Sequence, residues 1–416
     1  MTDSPATPTD PTRPLSDTLI DGVRVVELCD PRAGRVAAAF TGKLLATFGA
    51  DVVKVEPPAG DSARREAPFA TDVPSAETSA TFLQYNTGKR GVTLDVTTSL
   101  GFRLLESLLD SADIFLTDLE RAAWPPGLAE SVQRRVEARA LLTVAVTPFG
   151  LDGPDAEAPS APLTVAHASA GPRNLVGGFG ARGNVPMPLP AHAFAADAGL
   201  CAAVATMAAL HERASSGLGQ LIDASEMEAI TTLDRVDTSI LVNGPAMNTD
   251  RDPRDGMMEC HDGFAFLAPG QGHPWRSMLR LMRDPAWAFG DDGEPRPRSE
   301  IAAESRSAMQ EWVAGRGKAE VYHATQAAGI PTGPVLTPTE VLASEQEAAR
   351  GFFAPVAHPV AGTLRYAGYS ARFGDLALRR GPAPTLGQHN AEILAPLLAA
   401  LPGGWTLAQA RRAGAL

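Results

Sequence analysis

Two short β-rich runs separated by one helical span constrain the fold of this chain more than any other feature. Val23-Arg-Val-Val-Glu-Leu-Cys29 and Ala50-Asp-Val-Val-Lys-Val-Glu56 are dense in β-branched residues, and residues 34–48 between them space their apolar side chains as a helix does. A strand–helix–strand unit of this length closes almost always as a right-handed parallel crossover. The alternation continues with a strand near 91–96, a helix over 99–111, a strand over 112–117, a helix over 128–140 and a strand over 141–147. The pattern predicts the α/β class, with a mainly parallel sheet.

Residues 154–190, rich in Gly and Pro, read as an irregular surface crossing. An alanine-rich helix is expected over 198–214, stopped by Ser216-Gly217. A strand over 220–224 and a long helix over 226–241 follow. Past residue 243 the character changes. His261-Asp262-Gly263 is a hairpin-like turn before Phe264-Ala-Phe-Leu267, and helices are expected over 275–282 and 300–314. This region, to about Val335, reads as a smaller second domain. Residues 364–369 look strand-like, and a last helix is expected over 390–400.

The bulk numbers narrow the class of function. A chain of 416 residues with 44% hydrophobic content can bury a large core and make two domains. Its net charge of −12 argues against nucleic acid or an anionic membrane as partner. Cys29, Cys201 and Cys260 lack metal-ligand spacing, so no metal is expected, and they read as reduced, mostly structural thiols of a cytoplasmic protein. No run comes near the roughly 18 apolar residues that span a bilayer. Residues 1–18 are rich in Pro, Thr and Asp, without the apolar core of a signal peptide, and read as a disordered tail.

Several ordered segments carry a resemblance. They are Gly22-Val-Arg-Val-Val-Glu27, Phe48-Gly-Ala-Asp-Val-Val-Lys-Val-Glu-Pro57 with Gly60-Asp61, Asn86-Thr-Gly-Lys-Arg90 before Val92-Thr-Leu-Asp95, and Phe149-Gly-Leu-Asp-Gly-Pro154. Residues 216–225, Gly329-Ile-Pro-Thr-Gly-Pro-Val335 and Leu386-Gly-Gln-His-Asn-Ala-Glu392 complete them. In this order they resemble the family III CoA-transferases, the CaiB/BaiF group of formyl-CoA transferase, carnitine CoA-transferase and α-methylacyl-CoA racemase. The resemblance implies a Rossmann-like large domain made from both chain ends, a small α+β domain from the middle, and an interlocked homodimer. The expected boundaries are 19–228 for the first part of the large domain, 229–250 for a linker, 251–335 for the small domain and 336–416 for the return. The implied substrates are an acyl-CoA, or a related acyl thioester, and a small carboxylic acid.

A CoA site needs cations for the phosphates and backbone N–H groups at loop ends. By similarity Asn86, Lys89 and Arg90 match CoA-contacting positions, while Lys54 and Arg64 fall near the loop at the nucleotide end. Lys89 and Arg90 can equally form a solvated basic turn. Arg32, after the first strand, matches a position near the thioester and can fork onto a carboxylate of the acyl group; pairing with Glu27 or Asp30 is the other reading. Gly178-Phe-Gly-Ala-Arg-Gly183 fits a GxGxxG pattern but has no strand before it, so it reads as a loop and not a dinucleotide site.

In the transferases of this family an aspartate attacks the donor thioester to form an acyl anhydride and then carries CoA as an enzyme thioester, which requires a carboxylate. Counting back from Ser216-Gly217 puts alanine, Ala195, at its position, with Asp197 two residues on. Three readings of Asp197 compete: a displaced nucleophile, a helix N-cap, or an acid or base in a different reaction. The racemases need a histidine soon after Gly153-Pro154, where this chain has Asp155-Ala-Glu-Ala-Pro-Ser-Ala-Pro162, and His167 and His192 fall elsewhere. The loop Thr117-Asp-Leu-Glu-Arg-Ala-Ala-Trp124 also departs from the family pattern beside CoA. The leading expectation is CoA transfer or a diverged acyl reaction. The alternatives are a non-catalytic subunit supporting an active paralogue in a heteromer, and a lyase, isomerase or hydrolase using the same site.

Overall fold

The computed structural model describes residues 18–29, 35–71, 73–169, 192–232, 242, 256–270, 272–374, 376 and 378–416. The described residues up to Thr232, with those from Phe352 onward, form one compact unit; Val242 and those from Gly256 to Gly351 form another.

The first unit runs β1 (Arg24–Leu28), α1 (Ala37–Phe48), β2 (Asp51–Glu56), α2 (Ala80–Tyr85), β3 (Arg90–Thr93), α3 (Ser99–Leu109), β4 (Ile114–Thr117), α4 (Leu128–Arg139), β5 (Leu142–Thr147), α5 (Pro162–Ala168), α6 (Ala193–Ser216), β6 (Gln220–Ser225) and α7 (Glu226–Thr231). Its six strands pair in the order β3-β2-β1-β4-β5-β6, and every pair is parallel. The chain therefore winds one way from β1 through β3 and the other way from β4 through β6. That reversal puts a topological switch point between β1 and β4.

Both faces of the sheet are buried, as a parallel sheet requires. Val25, Val52, Ile114, Leu116 and Val144 point to one face, where Ala37, Leu45, Ala195, Ala198 and Ala202 of α1 and α6 pack on them. Val26, Val53, Val55 and Phe115 point to the other, against Leu104, Leu105 and Val132. This second core is closed by the chain's far end. After the hairpin of β10 (Phe353–His358) and β11 (Gly362–Ala367), a π-helical turn at Asn390–Leu394 leads into Ala395–Ala400, and Leu407–Arg412 forms the last helix. Leu394, Leu398 and Ala410 join the Phe115 core, and Asp95 N donates to Ala415 O at 2.9 Å.

The second unit holds an antiparallel sheet of β7 (Met257–Cys260), β8 (Gly263–Leu267) and β9 (Thr332–Val335), in that order. Cys260 pairs with Gly263, so His261-Asp262 is the two-residue hairpin loop that the sequence pattern predicts. Helices Ala302–Ala314 and Lys318–Ala327 and the His273–Leu281 helix supply its core, with Trp275, Met278, Met309, Val313 and Val321 packed on Met258 and Leu267.

Three expectations change. The alanine-rich helix starts at Ala193 and not near residue 198, because Ala193 to Ala196 are strong helix formers that extend it N-terminally. Asp197 therefore lies inside the helix, and His192 holds the N-cap position, so the capping role expected of Asp197 does not apply. Helix α5 stands within a span read as irregular. Finally, α6 is long and apolar enough by composition to cross a membrane, contrary to the expectation that no segment would be. Its Ala195, Ala198, Ala202 and Ala209 nevertheless pack on the sheet, as a core helix does. Gly217 ends it in the left-handed conformation at φ 73°, as predicted. The glycine-rich Gly178–Gly183 motif, residues 1–17, and residues 233–241 and 243–250 of the linker expected over 229–250, with the rest of the helix expected to 241, lie outside the described residues.

Candidate functional site

In open parallel sheets, ligands bind beyond the carboxyl ends of the strands, at the switch point. Here that edge carries Cys29 and Arg35 after β1, Asp118 and Glu120 after β4, and Glu226 after β6. Beside it, on the β1–β2–β3 side, lies a group of charges that the chain buries completely.

Glu27 on β1 and Lys54 on β2 are register partners, so opposite charges face each other in the middle of two apolar runs. Lys54 Nζ lies 3.2 Å from Glu27 Oε1 and 2.9 Å from Asp61 Oδ2. Burial works against the Lys54 ammonium, but the carboxylates of Asp61 and Glu27 outweigh it and raise its pKa. Lys89 Nζ donates to Glu27 Oε1 at 2.9 Å, to Ala39 O at 2.8 Å and to Asn86 Oδ1 at 2.9 Å, which uses its three protons. Gly42 makes room for this cluster: a Cβ there would fall 1.9 Å from Glu27 Oε2.

Arg64 forms a second saturated centre. Its Nε and Nη2 fork onto Glu56 at 2.6 and 2.8 Å, Nη1 reaches Glu77 and Ala76 O, and Nη2 also reaches Pro384 O. All five guanidinium protons are thus engaged, and the group stacks on the Phe82 ring at 3.6 Å. Arg90 is more open. It donates to Asp51 Oδ1 at 2.8 Å and to Glu392 Oε1 at 2.7 Å. The expected nucleotide-end residues Lys54, Arg64, Asn86, Lys89 and Arg90 thus come together around β1, β2 and β3, bonded to the chain itself. Arg32 lies outside the described residues.

The switch-point edge holds groups that the sequence reading did not single out. Arg35 Nη2 donates to Glu120 Oε1 at 2.6 Å and to Ser160 Oγ at 3.1 Å, and this ion pair is almost fully buried. The Cys29 thiol is pushed well up by burial, with the Asp118 and Glu27 charges adding to it, so it stays a thiol. Glu226, only 3% exposed, is the first residue of α7. Burial raises its carboxyl to about 7, and the Arg35 guanidinium only partly opposes this. A carboxylate placed directly after a strand of a parallel sheet was the available signal for it.

Helix α6 enters the same region. Gly199 lets it meet α1 closely: a Cβ at Gly199 would lie 2.4 Å from Ala37 O, and Thr41 Oγ1 donates to Gly199 O at 3.0 Å. Ala195 is buried in the sheet-facing core, so its methyl group closes the packing where a carboxylate was expected. Asp197 is half-buried, its carboxyl is raised by desolvation, and no hydrogen bond or ion pair reaches it among the described residues.

Known proteins match this arrangement along nearly its whole length. The family description CoA-transferase family III covers residues 20–390. The succinyl-CoA:(R)-benzylsuccinate CoA-transferase subunit BbsE of Thauera aromatica is 30% identical over 377 residues, 85% of this chain and 90% of the relative. A formyl-CoA:oxalate CoA-transferase of Streptomyces avermitilis is 27% identical, over 90% of this chain and 94% of its own. The crystal structure of a CAIB/BAIF family protein from Brucella suis superposes with a TM-score of 0.77 at 26% identity, covering 92% of this chain and all of that one. The chain belongs to CoA-transferase family III, and it is a CoA-transferase-like enzyme.

Proposed function

We propose that this chain moves CoA between an acyl thioester and a small carboxylic acid, with Asp197 as the carboxylate that attacks the thioester carbonyl. The observation that carries this reading is Asp197 itself. It stands half-buried at the start of α6, without a hydrogen bond or ion pair among the described residues, two positions past the alanine that cannot be acylated. A nucleophile needs a lone pair that no neighbour already occupies. The relatives named for succinyl-CoA, benzylsuccinate, formyl-CoA and oxalate support a short acid as acceptor.

In this reading Lys54, Arg64, Asn86, Lys89 and Arg90 serve CoA indirectly. Their saturated pairs fix the ends of β1 and β2 and the start of β3, against which the nucleotide lies. Arg32 binds the acyl end. A homodimer working in the cytoplasm suits the family and the three unpaired cysteines.

A second reading has a specific observation behind it: the core-facing Ala195, together with a relative named as a subunit, favours a chain that supports an active paralogue. One experiment separates the two. The purified chain is given succinyl-CoA or formyl-CoA with a panel of small carboxylic acids, and hydroxylamine is used to trap any acyl-enzyme. Turnover with a trapped hydroxamate, both lost in Asp197→Ala, is the expected result. Turnover unchanged in Asp197→Ala removes the nucleophile assignment, and turnover that appears only with an added paralogue supports the subunit reading.

A further inference from the structure

We propose that Glu226 is a proton-carrying catalytic residue of this site, holding a proton that passes to the CoA sulfur as the thioester breaks and comes back as it re-forms. The proposal rests on the transferase reading above.

Position comes first. Glu226 follows β6 directly, at the carboxyl edge of the parallel sheet where Arg35 and Glu120 also lie. In α7 it stands one turn before Ile230, and in α6 Asp197 stands one turn after Phe194. Phe194 and Ile230 share one apolar cluster with Val165 and Ala166. Residues a turn apart lie on one face of a helix, so the two carboxyl groups flank the same apolar contact. Both carboxyl groups are raised by desolvation, Asp197 half-buried and Glu226 almost wholly buried.

Chemistry comes second. Glu226 is almost wholly buried, yet no hydrogen bond or ion pair reaches its carboxyl group among the described residues. A buried carboxylate in that state is costly, so the group is held as the acid. The elements packed on α7 carry His167, His192, Asp197 and Asp223, and α7 itself carries Glu228. Of all charged groups only Arg35 acts appreciably on Glu226, and its guanidinium already serves Glu120 and Ser160. Burial sets the carboxyl to about 7, where a group is best matched to give and take a proton near neutrality.

The step balances. The Asp197 carboxylate forms a C–O bond to the thioester carbonyl carbon and the C–S bond breaks. Its electron pair goes to sulfur, which takes the Glu226 proton and becomes the thiol. The products are an acyl-aspartyl anhydride, CoA thiol and Glu226 carboxylate. In return Glu226 removes the thiol proton as sulfur attacks the aspartyl carbonyl carbon, expelling the donor acid as its carboxylate. No oxidant or other co-reactant is consumed.

The test pairs kinetics with a probe of the carboxyl group. In the wild type, CoA transfer should fall as pH rises above about 7. Glu226→Gln, which keeps the shape but has no acid proton to give, should be about 100-fold slower and lack that limb, while Glu226→Asp recovers part of the rate. A Glu226→Gln enzyme with wild-type rate and pH profile overturns the proposal. By infrared difference spectroscopy, the protonated carboxyl band that Glu226→Gln removes should shift with CoA and stay unmoved with desulfo-CoA, which lacks the sulfur. If both ligands bind and the band responds to neither, the proposal falls while the CoA reading stands. If neither ligand binds, the CoA reading itself fails and takes the proposal with it.

Discussion

Glu27 and Glu226 are two buried carboxyl groups in one unit, and the chain treats them in opposite ways. Glu27 faces two ammonium groups at 3.2 and 2.7 Å, so its charge is matched; removing one partner of such a buried set costs about 3–5 kcal/mol. Glu226 has no such match, and its raised pKa makes it a liability for the fold. The folded state holds the proton up to about 7, whereas the unfolded group releases it near 4.5. Folding therefore takes up a proton between these values, and stability falls as pH rises through that window. At 1.36 kcal/mol per pKa unit the loss is about 3 kcal/mol by pH 8. Glu226→Gln should thus match the wild type in urea unfolding at pH 4 and exceed it at pH 8. Equal stabilities at pH 8 would show that the carboxylate is accommodated. A buried carboxyl with a raised pKa in a cleft is a candidate for a functional role.

At the scale of elements, the strands and most helices were legible because apolar periodicity is a local signal. Val25-Val26-Glu27-Leu28 and Val52-Val53-Lys54-Val55 each place one charge at the same point of a buried run, a match that shows as pairing only once the strands are side by side. The same lysines and Arg64 read as ligand cations, because side-chain type does not tell whether a carboxylate will come from a ligand or from a distant strand. The start of α6 was not legible, because His192 makes no side-chain capping bond and leaves no signature. Arg35, Glu120, Ser160 and Glu226 are scattered over the sequence and converge only through the parallel sheet. The motif Leu386-Gly-Gln-His-Asn-Ala-Glu392 has a physical role that the sequence did not reveal. His389 Nδ1 accepts from Gly91 N at 3.0 Å and Asn390 Oδ1 from Thr93 N at 2.9 Å, capping the free edge of β3. The close α1–α6 contact matters most to the proposed site, because it sets where Asp197 stands. Gly199→Val drives two methyl groups toward Ala37 O and the Phe40 ring, and overpacking of this kind costs about 1–3 kcal/mol. Its urea midpoint should fall, and CoA transfer should fall further than the loss of folded protein accounts for. A full-rate Gly199→Val enzyme would separate the α1–α6 contact from catalysis.

At the scale of the molecule, the described part of the first unit leaves one side of its sheet open. Among the described residues β6 pairs only with β5, so the other edge of this strand has no described neighbour in the sheet. Leu221 on that strand and Leu218 just before it are exposed, and so are Leu200 and Val204, one turn apart on α6. An open strand edge beside exposed leucine and valine is a surface that natural proteins cover. We propose that a second chain meets that need, whether a copy of this one or a paralogue, with apolar burial of about 25 cal/mol per Å² as the drive. Sedimentation of the purified protein should give twice the mass of one 416-residue chain. The pair of substitutions Val204→Glu and Leu221→Lys should move it toward the single-chain mass, because each strands a charge in the contact. A chain that sediments alone but gains mass when mixed with a paralogue would make the heteromer the working form. A chain that stays single under both conditions, with activity intact, would show that this edge is closed from within.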